Sequence, residues 1–101
     1  MSTYRLKGAS GEVINQAFTL GRRTVIGRAD DCDLRVDADG VAPRHAEIRL
    51  NEGGGLVLNR LDPAAEVLLN GEAVDSAGLA SGDEIRLAGC RWVLQLSLIH
   101  I

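Results

Sequence analysis

"VAPRHAEIRL", residues 41–50, sets a proline, an arginine and a histidine directly before six residues that alternate between apolar and polar. In HAEIRL, Ala46, Ile48 and Leu50 share one face while His45, Glu47 and Arg49 share the other, the period-2 pattern of a half-buried strand. The alternation recurs in TYRLKG (Tyr4 with Leu6), AFTLG (Phe18 with Leu20), DEIRLA (Ile85 with Leu87) and RWVLQLSL (Trp92, Leu94, Leu96 and Leu98). GLVLNRL and EVLLNGEAV are more continuously apolar, as strands covered on both faces are, and Asn70-Gly71 is a hairpin-turn signal. No segment has a helical period, and glycine recurs at short intervals. These features predict an all-β fold, an antiparallel sandwich of about ten or eleven short strands.

The chain's 101 residues fit one domain, 1–101, with a core expected from about residue 4 to 96. A hydrophobic content of 46% beside 25% charged residues belongs to a globular chain that folds without a partner. Eleven basic against fourteen acidic residues give a net charge of -3, with no Lys/Arg block. That balance speaks against nucleic-acid binding and against direct membrane contact, because neutralising phosphates needs a clustered positive surface. Cys32 and Cys90 lie far apart without CxxC or Cys/His spacing, so they read as two small buried thiols, with no metal and no cofactor implied.

MSTYRLKGAS lacks an apolar run of signal-peptide length, and nowhere do 18 apolar residues stand together, so a cytoplasmic location is expected. The closing LQLSLIHI is unusually apolar for a free terminus, as in a domain cut from a longer protein or a terminus carrying added residues. NEGGG, residues 51–55, reads as a hairpin loop, too short to link domains.

Three loops hold most of the unusual polar residues: GRADDCD (27–33), DADGVAPRH (37–45) and NRLDPAAE (59–66). In a sandwich of reversing strands, alternate loops emerge at one end, which brings these three into one surface. Catalysis is not expected there. No Gly-x-Ser-x-Gly, His-Glu-x-x-His or phosphate-cradling Gly-rich helix start occurs, and Cys32 with His45 is a pair in name only.

The ordered motifs resemble the forkhead-associated (FHA) domain, a phosphothreonine-peptide reader. They are VIGR at 25–28, DDCDLRV at 30–36, VAPRHAEI at 41–48, VLLNGEAV at 67–74 and LASGDEIRLAG at 79–89. The resemblance implies that Gly27, His45, Asn70 and Gly71 are structural, with the His45 ring bonding across the loops. It also implies that Arg28 grips a phosphate, for which a bidentate guanidinium is suited. An arginine at this loop mouth is either a surface charge or the last working part of a phosphate site. Asp30, Asp31 and Asp33 stand near enough in sequence to pair with it and quench it.

The family's other binding positions are degenerate in this chain. Its phosphate-binding loop serine falls on Ala42, and the next position on Pro43, which has no N–H. Its Thr-Asn pair falls on Ala64 and Ala65. Arg44 occupies a variable position, either solvated at a loop tip or in contact with a partner.

The sequence therefore reads as a non-enzymatic protein-interaction module that binds a protein or peptide through its loop end with weak or no phosphothreonine dependence. Degenerate FHA-like domains of this kind resemble cytoplasmic domains of bacterial secretion-system membrane proteins, which implies a scaffold or assembly role. The alternative is a phosphothreonine-peptide reader in signalling that uses Arg28 and recruits Arg44 or Arg60. A third class, self-association through the apolar strand from Trp92 to Leu98, would show as an increased mass in solution.

Overall fold

The computed structural model describes residues 2–10, 16–53 and 55–98. The side chain of Leu98, Gly54 of the NEGGG loop and the apolar close at 99–101 lie outside the described residues. Eleven strands are described: β1 (Ser2–Ser10), β2 (Ala17–Thr19), β3 (Arg23–Gly27), β4 (Leu34–Arg35), β5 (Ala46–Leu50), β6 (Leu56–Arg60), β7 (Val67–Leu69), β8 (Glu72–Ala73), β9 (Ser76–Leu79), β10 (Glu84–Leu87) and β11 (Cys90–Leu98). No helix occurs among the described residues.

The strands form a six-stranded sheet, β2-β1-β11-β10-β7-β8, and a five-stranded sheet, β4-β3-β5-β6-β9. Pairing is antiparallel except between β3 and β4, where Ile26 faces Leu34 and Gly27 faces Arg35 in parallel. Two bonds hold that short crossover. Asp33 accepts the Val25 N–H at 2.9 Å, and the Val36 N–H donates to the Gly27 carbonyl at 2.7 Å.

The alternating residues meet between the sheets. Leu6, Ile26, Ile48, Leu58, Ile85, Leu87, Leu94 and Trp92 are buried there, each worth about 1.5–3 kcal/mol or more of apolar burial. Two residues expected on the core face are instead 41% exposed, Leu50 and Leu96. Leu50 ends β5 at the open Asn51–Gly55 hairpin, and Leu96 lies where β11 has outrun β10, whose pairing stops at Glu84 and Val93. Strand β9, SAGL, carries too little apolar alternation to stand out in the sequence; it is held by pairing with β6 at the sheet edge.

The β7–β8 hairpin turns at Asn70 (φ 52°) and Gly71 (φ 87°), the left-handed pair that an Asn-Gly turn supplies. The Asn70 side chain then fastens the turn to the neighbouring strand. Its Oδ1 accepts the Glu84 N–H at 3.0 Å, and its Nδ2 donates to Asp83 at 3.2 Å.

Candidate functional site at the loop end

The loops after β3, before β5 and after β6 meet at one end of the sandwich. The Arg28 N–H donates to the Ala42 carbonyl and the Ala29 N–H to the Pro43 carbonyl, both at 3.0 Å. Gly27 makes that approach feasible. A Cβ on it would lie 2.3 Å from the Pro43 oxygen and 3.0 Å from the Arg44 Cα, so backbone occupies the space of a side chain. The Cys32 thiol donates to the same Pro43 carbonyl at 3.1 Å. Burial, then the neighbouring Asp31 carboxylate, raise the Cys32 pKa above its ordinary value of 9.0, which keeps it a thiol.

His45 joins the second and third loops. Its ring is buried, and Nδ1 accepts the Ala42 N–H at 3.2 Å, which leaves Nε2 to donate to the Glu66 carbonyl at 2.8 Å. Its backbone is bonded on both sides, N–H to Ile26 and carbonyl from the Leu61 N–H. Every polar group of His45 is satisfied within the protein.

The arginines singled out from the sequence each stand against an acid. Arg28 is half exposed, with its Nε 3.5 Å from Asp37, a residue that Arg35 also approaches at 3.9 Å. Arg44 pairs with Asp31, and Arg60 with Asp75 at 2.6 Å. The aspartates expected to quench Arg28 are engaged elsewhere: Asp30 with Arg35, Asp31 with Arg44, and Asp33 with the β3 backbone. Asp37, further along the chain, is close because β4 returns parallel to β3. Between residues 28 and 44, five aspartates face three arginines, so the surface is acidic overall.

Ala42, Ala64 and Ala65 offer no donor at all. The Ala42 N–H is held by His45, the Ala64 N–H donates to the Asp62 carboxylate at 2.9 Å, and the Ala65 N–H to the Asp62 carbonyl at 3.0 Å. Asp62 and Pro63 thus wind the third loop into a self-satisfied turn. Beside it lies a cavity of about 300 Å³, lined by Arg60, Ala64, Ala65, Val74 and Asp75 among others, with room for larger side chains at the alanines. Among the described residues, no group of three or more His, Cys, Asp or Glu is placed to hold a metal ion.

One polar centre was not legible beforehand. Glu47 is buried on the outer side of β5, where it meets Arg23 at 2.5 Å, Arg49 at 3.3 Å and Asn59 at 3.4 Å. Ser76 of β9 donates to Asn59 at 2.7 Å, so the network spans four strands. Burial alone would raise the Glu47 pKa, but the hydrogen bond and charge of Arg23, with help from Arg49 and Asn59, bring it below the ordinary 4.5. The cross-strand register was the missing information, since Glu47 faces Asn59 only once β5 and β6 pair.

Comparison with known proteins places this geometry. The FHA domain family matches residues 24–88. Glycogen accumulation regulator GarA of Mycolicibacterium smegmatis is 41% identical over 70 residues, which is 69% of this chain and 44% of that protein. The chain thus spans less than half the length of the curated relatives it matches, GarA of Mycobacterium tuberculosis included, at 39% identity and 43% of its length. An FHA domain solved in a study of phosphothreonine-dependent FHA domain interactions superposes with a TM-score of 0.82 at 28% identity, covering 98% of both chains. The FHA domain of FhaA, complexed with the intracellular domain of Rv3910, gives 0.81 at 29% identity, covering 91% of this chain and 99% of that one.

Proposed function

The chain belongs to the FHA domain family, and from that premise we propose that it is a non-enzymatic interaction module whose loop end binds a protein partner with little or no dependence on phosphothreonine. The observation that carries this reading is the lack of donors. Ala42 and Ala64 present methyl groups, Ala65 is buried, the N–H groups of all three are spent inside the protein, and Pro43 has none. Hydrogen bonds to a charged group contribute about 1.5–3 kcal/mol each, so losing two weakens phosphopeptide binding by about a hundredfold or more. The acidic surroundings of Arg28 add repulsion against a dianionic phosphate.

A folded protein partner does not need those donors, and the FHA domain of FhaA is a relative complexed with a protein domain, the intracellular domain of Rv3910. The role we assign is a cytoplasmic scaffold within a larger bacterial protein, such as a secretion-system component. The triple change Ala42→Ser, Ala64→Thr and Ala65→Asn tests the reading by calorimetry with a phosphothreonine peptide. It returns a hydroxyl to the second loop and an amide to the third, beside the existing cavity. A gain of about two orders of magnitude in affinity is expected; no gain refutes the donor argument.

A second reading keeps the phosphothreonine reader in signalling. Its support is Arg28 itself, half exposed and held by Asp37 across 3.5 Å, an exposed pair that a phosphate displaces at little cost.

A further inference from the structure

The outer face of the six-stranded sheet has the opposite charge from the loop end. Arg5 and Lys7 flank buried Leu6, Glu84 and Arg86 flank buried Ile85, and Arg91 and Val93 flank buried Trp92. The register sets Lys7 opposite Val93, Arg86 opposite Arg91, and Leu68 opposite Arg86 on its other side. Four cations thus share a face with Glu84, and Glu66 stands beside Leu68 and Arg86 at its edge, on a chain whose net charge is -3.

Two observations say that this face is incomplete alone. Arg86 and Arg91 are direct cross-strand partners, and like charges so placed destabilise an antiparallel pair. Glu84 relieves them weakly, at 3.8 Å from Arg91. Further, the Nε of Arg91 is buried and has no hydrogen-bond partner, a desolvated donor on a charged group. An anion laid across the exposed parts of the two side chains removes the first penalty, because a guanidinium fork is built to receive a carboxylate.

We propose that the β1–β11–β10 face is a second docking surface, and that it takes an acidic, extended peptide segment of a partner protein. Carboxylates meet Arg86, Arg91 and Lys7, while apolar side chains rest on Leu68 and Val93 between them. Arg5 and Lys7, two residues apart on β1, repeat at about 7 Å, the spacing of same-side residues in an extended peptide. The face presents no aromatic ring on which a nucleobase would stack, which favours a peptide over RNA.

Fluorescence anisotropy with a labelled, glutamate-rich peptide of roughly a dozen residues, long enough to cross three strands, tests this. Saturable binding is expected at about 0.15 M salt. The double variant Arg86→Gln, Arg91→Gln should weaken it about tenfold or more. Lys7→Gln, away from the pair, should weaken it by a smaller factor, and Arg28→Ala should leave it unchanged. Removing the facing charges should leave the melting temperature of the double variant at or above the wild-type value. Equal binding by the double variant, no saturable binding by the wild type, or dependence on Arg28 would overturn the proposal. So would tighter binding of phosphatidylserine vesicles or single-stranded RNA through the same arginines, or self-association that the double variant abolishes.

Discussion

Replacing His45 with alanine removes the ring that ties the second and third loops together. The ring is 1% exposed and serves two backbone groups, the Ala42 N–H at 3.2 Å and the Glu66 carbonyl at 2.8 Å. Each buried group left unpaired costs about 1–3 kcal/mol. The adjoining cavity of about 270 Å³, lined by Gly40, Glu66, Leu68 and Arg86 beside His45, admits water that recovers part of that loss. The net expectation is about 2–4 kcal/mol of destabilisation. Arg44, one residue earlier, is exposed and pairs with Asp31 at the surface, so Arg44→Ala should cost no more than about 1 kcal/mol. Urea unfolding followed by the emission of the single tryptophan, Trp92, reads both variants as shifts in midpoint at constant slope. A His45→Ala protein within about 0.5 kcal/mol of wild type, or an Arg44→Ala protein equally damaged, refutes the assignment of the ring as the tie.

Three further outcomes follow from the same geometry. Gly27→Ala drives a Cβ to 2.3 Å from the Pro43 oxygen, so the loop must move and break the bonds to Ala42 and Pro43; amide exchange at Arg28 and Ala29 should accelerate while the β10–β11 core stays protected. Trp92→Ala should cost about 3–5 kcal/mol in urea melts followed by circular dichroism, and a loss well below 1 kcal/mol would contradict its buried register. Glu47 titrates below 4.5 when folded, so its stabilisation is complete above that pH and lost as pH falls through the lower folded value; the melting temperature of the wild type should therefore fall more steeply below about pH 4.5 than that of Glu47→Gln.

Most of the fold was legible because its signals are local. Alternation in HAEIRL, DEIRLA and RWVLQLSL marked strands whose inward residues are now seen buried, and Asn70-Gly71 marked its turn by backbone conformation alone. The failures share a cause. Leu50 and Leu96 carry the right pattern but each lies beyond the last pairing with one neighbour, Arg49 with β3 and Val93 with β10, and β9 gains its pairing from β6 without a pattern of its own. Of the candidate site, the residue types were readable and their partners were not. That Asp37 rather than Asp30, Asp31 or Asp33 sits beside Arg28 depends on the parallel β3–β4 crossover, and the Glu47 network depends on cross-strand register. Neither can be seen in sequence spacing.

The proposal that the loop end depends only weakly on phosphate is tested most directly on the unmodified protein. Isothermal titration with paired peptides, identical except for one phosphate on threonine, compares the two affinities in the same buffer. With Ala42, Ala64 and Ala65 offering no donor, the phosphorylated form should bind the wild type barely better than its unphosphorylated twin. Tight binding that requires the phosphate and disappears in Arg28→Ala would contradict the account and make the phosphothreonine reader the correct description.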